Sequence, residues 1–282
     1  MLTCLRAAPA AALVEAAPTD IFPWVGGMVL PKSPLQLLAS GADIPLLVGF
    51  DREEDGTAGY LPLTGPYNNN TWVRDTNAIG GPPLGSQIRS LYPASAYDAL
   101  AWSTVTAVTD VKRGCPTRRL ANTVSQGAPV WRYLYTHTYE NDPSFAQFRA
   151  AHVFEEQFLW GEDVFGAGYV LSPTEQLLSR RMTDYWTNFA KTGDPSGPGL
   201  PTWPQYNSVT EPTLTLDDQI GVVNNYHDQQ CALLDTITNP FPPPWARGVG
   251  PPSSPHTSPV PSPDIGLVPA PGPGRVGRAL TA

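Results

Sequence analysis

The stretch IPLLVGFDREEDGT, residues 44–57, joins an apolar run to a group of acids and a glycine. Its first part, Ile44 to Phe50, has the length and composition of a buried strand. Glu53, Glu54 and Asp55 follow at once, and the carboxyl end of a strand is where an α/β enzyme places a functional carboxylate. A solvated, charged turn is the alternative interpretation of these acids.

Two more strands are predicted from the residue pattern. Ala128–His137 alternates β-branched and aromatic residues, and Thr213–Leu216 alternates polar and apolar ones. Helical periodicity occurs between these strands, in residues 34–40, 97–109, 115–125 and 174–190. The last helix is the clearest, since Ser172 or Thr174 suits its N-cap and Gly193 follows its end. Strands separated by helices predict a layered α/β sheet.

Two segments show no such periodicity. Residues 56–93 are rich in Gly, Pro, Asn and Thr and predict a loop. From Pro240 onward, closely spaced prolines and serines exclude helices and central strands and leave too few apolar groups to fold. We therefore divide the chain into a domain of residues 1–239 and a disordered, Pro-rich tail of residues 240–282.

Charge and hydropathy exclude two classes of partner. The net charge is -8, and the chain lacks the clustered Lys and Arg that nucleic-acid binding needs. The longest apolar candidate near the start, Ala7 to Ala17, is broken by Pro9 and Glu15, so no membrane span is expected. Arg6 is the only early positive charge and no clean apolar stretch follows it, so no export signal is visible.

A histidine in an apolar surround is the second candidate for chemistry. His152 lies in AAHVFEEQFLW, residues 150–160, with Glu155 three positions later. Histidine is the usual general base, and it needs an acid to orient its ring, although a hydrogen-bonded structural histidine is the alternative. We expect no zinc site, because the three cysteines form no C-x-x-C and the four histidines are far apart in sequence: His137, His152, His227 and His256.

The order of short motifs resembles the later half of the type-B carboxylesterases, the serine hydrolases that include the cholinesterases. The string YWTNFAKTGDP, residues 185–195, is the most specific of these motifs. The resemblance covers nearly all of residues 2–237 and is carried, in order, by Cys4-Leu5-Arg6, the prolines and glycine of Pro23–Pro31, PLLVGFDREEDGT, Asp110 before Cys115-Pro116, PVWRYLYTH, the His152 segment, LSRRMTDYWTNFAKTGDP, TWPQY and Cys231.

This resemblance implies the C-terminal portion of an α/β-hydrolase fold, with a mixed, mostly parallel sheet and flanking helices. His152 matches the catalytic histidine of the family and Glu54, five residues after Gly49, matches the acid of the triad. The chain departs from the family pattern twice, since Asp55 stands where a glycine usually follows the acid and Val153 where one follows the histidine. The first departure leaves Asp55 as a rival for the triad acid.

The resemblance has further implications for the cysteines, the ligands and the cell compartment. Cys115 and Cys231 match a long-range disulfide of the family, whereas Cys4 matches a cysteine whose partner would lie upstream, so we expect it to be free. The substrate would be a small carboxylic ester, no cofactor is implied, and the family points to a secreted or extracellular protein.

The nucleophile of that family is not in these 282 residues. Its serine lies in a G-x-S-x-G turn upstream of the Cys4 motif, together with a glycine-rich oxyanion loop. No serine in these residues has glycine both two positions before it and two positions after it. Ser125 has Gly127 after it, but Thr123 stands where the first glycine would be. We therefore expect the C-terminal part of a serine carboxylesterase, inactive alone, with a complementing N-terminal half as its partner. The alternatives are a non-catalytic, cholinesterase-like adhesion or binding protein and a non-functional gene fragment.

Overall fold

The computed structural model describes residues 6–12, 25–56, 66–161, 163 and 165–237. Cys4 and the predicted tail, residues 240–282, lie outside these ranges. The sheet in the described residues follows the strand order β1-β2-β3-β4, with β1 parallel to β2, β2 parallel to β3, and β3 antiparallel to β4. Its strands are β1 (Leu46–Asp51), β2 (Val130–Tyr135), β3 (Thr213–Leu216) and β4 (Gly221–Val223). The sheet is therefore mixed and mostly parallel, as predicted.

The helices connect these strands. A π-helical turn, Asp110–Gly114, connects the helix that ends at Thr109 directly to the helix that begins at Cys115. The described α-helices are α1 (Pro34–Leu38), α2 (Asn69–Gly80), α3 (Pro82–Leu91), α4 (Leu100–Thr109), α5 (Cys115–Val124), α6 (Pro143–Ala146), α7 (Phe154–Trp160), α8 (Pro173–Thr192) and α9 (Asp228–Leu234). Among the helices of these ranges, none is both long and apolar enough to cross a bilayer.

The predicted loop over residues 56–93 is wrong, because most of it forms α2 and α3. The polar residues that suggested a loop act at the helix ends. The Asn68 side chain caps α2 by accepting hydrogen bonds from the next turn, and Pro82 begins α3, where no backbone donor is needed. Ile79 and Ile88 are fully buried, so tertiary packing stabilises two helices whose composition alone did not predict them.

Helices cover both faces of the sheet, and β2 shows why. Alternate residues of a strand point to opposite faces. Trp131 and Tyr135 pack with Met182 of α8 on one face, whereas Val130 packs with Ala121 of α5 on the other. The central strand is therefore buried on both sides. Because β1, β2 and β3 are parallel, their carboxyl ends lie together at one edge of the sheet.

A disulfide joins the helices on the α5 side. Cys115, at the start of α5, is bonded to Cys231 of α9, with 5.2 Å between their Cα atoms and a sequence separation of 116. Both cysteines are buried in one apolar cluster with Ile79 and Ile88. This is the pair of cysteines that the family resemblance implied.

Replacing both Cys115 and Cys231 with alanine is expected to lower the free energy of unfolding by about 4 to 5 kcal/mol, because a long loop of the unfolded chain is no longer closed. Urea unfolding followed by tryptophan fluorescence measures the loss. The oxidised chain treated with dithiothreitol is the matched control and should lose a similar amount. Equal midpoints for oxidised and reduced protein would contradict the prediction.

Candidate active site

A short extension of the sheet places the acid segment beside the histidine segment. The backbone N–H of Glu53 donates to the carbonyl oxygen of Ala150 at 2.9 Å, and Glu53 and Ala151 form a parallel bridge. The Ala150 N–H returns a hydrogen bond of 3.2 Å to the Glu53 carboxylate. These contacts continue the direction of β1 beyond its last residue and bring the residues after Glu53 and after Ala151 together.

His152 and Glu54 meet at this point, although 98 residues separate them in sequence. The distance between His152 Nδ1 and Glu54 Oε2 is 2.8 Å. The other carboxylate oxygen of Glu54 accepts a hydrogen bond of 3.2 Å from the backbone N–H of Asp51. The Glu54 side chain is only 10% exposed, whereas the His152 side chain is 58% exposed. A fixed carboxylate thus holds a ring that remains accessible.

This geometry determines which ring nitrogen is available for chemistry. A carboxylate that accepts a hydrogen bond from Nδ1–H favours the tautomer in which Nε2 carries a lone pair. Nε2 is then the nitrogen that can take a proton from a nucleophile and return it. The carboxylate also stabilises the imidazolium that forms after the transfer.

Asp55, the rival acid, is directed elsewhere. Its carboxylate forms a salt bridge with Lys112, and its backbone N–H donates to Thr109 Oγ1 at 3.3 Å. The structure thus brings Glu54 rather than Asp55 into contact with His152. A further cation, Arg113, has its Nε 3.9 Å from Glu54 Oε2, which the spacing of the motifs did not indicate.

Two further acids, Asp51 and the half-buried Glu155, interact electrostatically with Glu54. Asp51 is fully buried, and burial raises its pKa well above the ordinary value, with a further increase from the charge of Glu155. Burial also raises the pKa of Glu155. Both shifts favour protonation and reduce the negative charge behind Glu54. Sequence reasoning noticed Glu155 but missed Asp51, whose position as the last residue of β1 was the available signal.

Val153, one of the two departures from the family pattern, has an unfavourable backbone conformation. Its φ and ψ are 69° and 1°, in the left-handed region, where it caps the start of α7. Glycine adopts this region without strain, whereas a β-branched residue does so rarely. The conformation gives a physical reason for glycine at this position and shows that valine occupies it under strain.

Val153→Gly is therefore expected to raise the free energy of unfolding by about 0.5 to 1 kcal/mol, because removal of the Cβ strain outweighs the added chain entropy. Urea unfolding of the oxidised protein is the measurement. Val153→Ala is the matched control, because it keeps a Cβ atom and should show no such gain. A gain from alanine equal to that from glycine would rule out relief of backbone strain as the cause.

The parallel strands and the carboxylate–histidine pair at their carboxyl ends define an α/β-hydrolase. The chain belongs to the carboxylesterase family, whose model matches residues 1–234.

Relatives of this family are esterases and hydrolases. Over 202 residues the chain is 30% identical to the para-nitrobenzyl esterase of Bacillus subtilis (strain 168), covering 70% of the chain and 39% of the relative. It is also 30% identical to the acylcarnitine hydrolase of Rattus norvegicus over 214 residues, which cover 70% of the chain and 38% of that relative. A solved PNB esterase superposes with a TM-score of 0.62 at 27% identity, covering 83% of the chain and 50% of that structure. The chain thus spans less than half the length of these two curated relatives.

Proposed function

We propose that this chain is the part of a serine carboxylesterase that supplies the general base His152 and its partner acid Glu54. The observation that supports the proposal is the 2.8 Å contact between His152 Nδ1 and Glu54 Oε2. A non-catalytic binding protein of the same fold would need neither the exposed ring nor the carboxylate that holds it.

In the proposed reaction, a serine hydroxyl from another segment attacks the carbonyl carbon of a carboxylic ester. His152 Nε2 takes the serine proton and then donates it to the leaving alkoxide, which departs as the alcohol and leaves an acyl-enzyme. A water molecule then attacks the acyl group and loses a proton to His152 Nε2. His152 donates that proton to the serine oxygen as the acyl–oxygen bond breaks, which releases the carboxylic acid and regenerates the serine. Glu54 orients the ring in both steps. The scheme requires no cofactor.

The segment that carries the nucleophile would be the partner of this chain. The 282 residues contain no G-x-S-x-G sequence, so an acyl-enzyme cannot form in the proposed way from these residues alone. The oxyanion hole, which accounts for much of the catalysis in such enzymes, would come from the same segment. We therefore propose that the chain by itself does not hydrolyse esters.

An oxidising compartment, such as the secretory pathway or the extracellular space, is part of the proposal. The Cys115–Cys231 disulfide supports it, because disulfides form and persist in such compartments and are rare in the cytosol.

The first test is hydrolysis of p-nitrophenyl acetate by the full chain, which should not exceed the background of free imidazole. A chimera then joins the upstream part of the Bacillus subtilis para-nitrobenzyl esterase, with its serine segment, to this chain. The chimera should show turnover. His152→Ala should lower kcat by about 10⁶-fold and Glu54→Gln by about 10⁴-fold, because the base or the carboxylate that orients it is lost.

Asp55→Asn in the chimera is the matched control and should keep kcat within about threefold, since Asp55 contacts Lys112. Cooperative thermal unfolding verifies that each variant is folded. A folded chimera in which Asp55→Asn lowers kcat as much as Glu54→Gln would refute the assigned acid. Turnover by the chain alone that His152→Ala abolishes would show that these residues contain a nucleophile.

A further inference from the structure

A second group of ionisable side chains lies at the carboxyl ends of β2 and β3. His137 follows the end of β2, and Asp217 and Asp218 follow the end of β3. These strands are parallel neighbours, so their ends lie side by side. His137 Nδ1 is 3.3 Å from Asp217 Oδ1 and 3.0 Å from Asp218 Oδ1, and the donor atoms of the three residues lie within 4.8 Å of one another.

The surroundings orient two of these donor groups, those of His137 and Asp217. Glu175 Oε1 lies 3.1 Å from His137 Nε2, so a buried carboxylate fixes the ring with Nδ1 directed at the two aspartates. Thr136 Oγ1 donates to the outer oxygen of Asp217 at 2.7 Å. A carboxylate on the far nitrogen of a histidine is the usual support of a metal-binding imidazole.

Glu175 is itself held in place. It is fully buried in the first turn of α8, where it accepts hydrogen bonds of 2.7 Å from the Ser172 N–H and of 2.7 Å from the Tyr169 hydroxyl. The group therefore connects two strand ends to the start of the longest described helix.

Burial and charge around the ring favour a cation. His137 is 1% exposed, whereas the side chains of Asp217 and Asp218 are 39% and 37% exposed, which leaves an ion a path from solvent. Asp218 Oδ1 is a buried atom and lies 3.0 Å from His137 Nδ1. The carboxylates of Glu175, Asp217 and Asp218 thus surround one imidazole.

We propose that His137, Asp217 and Asp218 bind a divalent transition-metal ion of the Zn²⁺ class, through Nδ1 and one oxygen of each carboxylate. Zinc takes imidazole nitrogen and carboxylate oxygen together, whereas Ca²⁺ and Mg²⁺ prefer oxygen alone. Bonds of about 2.0 to 2.1 Å in a tetrahedral site separate neighbouring donors by roughly 3.4 Å. The observed separations from the ring nitrogen, 3.0 and 3.3 Å, need little adjustment.

The ion would raise the stability of the fold by linking the ends of β2 and β3. Through the contact between His137 and Glu175, it would also link them to α8. The proposal is independent of ester hydrolysis, because it uses none of the residues assigned to that reaction.

Isothermal titration calorimetry of the full chain with ZnCl₂, after dialysis against EDTA, tests this proposal. One tight site per chain is expected, and Zn²⁺ should also raise the Tm. Asp218→Asn, a change of equal size at a partly exposed side chain, should weaken binding by about tenfold or more and remove the increase in Tm, because one metal–oxygen bond is lost. Asp217→Asn should have a similar effect.

His152→Gln is the matched control, since His152 and Glu54 form another histidine–carboxylate pair, and it should leave the Zn²⁺ affinity unchanged. Absence of a tight site would overturn the proposal. So would an affinity that neither aspartate variant changes or that His152→Gln abolishes. Tighter binding of Ca²⁺ or Mg²⁺ than of Zn²⁺ would overturn the assigned class of ion.

Discussion

The bridge between Glu53 and the Ala150–Ala151 segment is the constraint on which the candidate active site depends. It extends the direction of β1 by one step, so that the residues after Glu53 and after Ala151 must lie side by side. Each of its hydrogen bonds contributes on the order of 1 kcal/mol, and their buried setting makes the loss of any one costly. The bridge thereby places Glu54 next to His152 although 98 positions separate them in sequence.

The acids of residues 51–55 show how environment gives one residue type several roles. Asp51 is buried and favours its protonated form, whereas Glu53 holds the bridge with its backbone and its carboxylate. Glu54 contacts the exposed histidine, and Asp55 pairs with Lys112. A single stretch of charge therefore supplies a core group, a structural link, a site carboxylate and a partly buried ion pair. Which residue takes which role follows from the direction of each side chain along a tightly turning backbone.

Residue patterns predicted β1, β2 and β3, because apolar or alternating runs mark residues that pack in a sheet, but they missed the three-residue strand β4. Thr213–Leu216 is a strand with the predicted bounds, and β1 begins after Pro45, which has no backbone donor. Helix α8 was predicted because a capping residue, Ser172, and a terminal glycine, Gly193, mark its ends. The helices α2 and α3 were missed, since buried contacts with distant residues stabilise them and their own composition resembles a loop.

The site could be predicted only in part, for a related reason. Motif spacing indicated His152 and the acid run, but it left Glu54 and Asp55 open, because neighbouring residues differ in direction rather than in type. The group around His137 gave no signal, and the expectation of no zinc site considered only spacing along the chain. The aspartates of this group are about 80 residues further on and meet the ring only through strand pairing.

The central claim is that the bridge places Glu54 against Nδ1 of His152. The most direct test is to determine which ring nitrogen of His152 carries the proton. Long-range ¹H–¹⁵N correlation spectra at a pH where the ring is neutral distinguish its two tautomers. The account predicts that His152 is mainly protonated on Nδ1, that Glu54→Ala shifts the proton to Nε2, and that Asp55→Ala leaves it on Nδ1. A ring protonated on Nε2 in the unaltered chain, or one that changes tautomer with Asp55→Ala and not with Glu54→Ala, would contradict it.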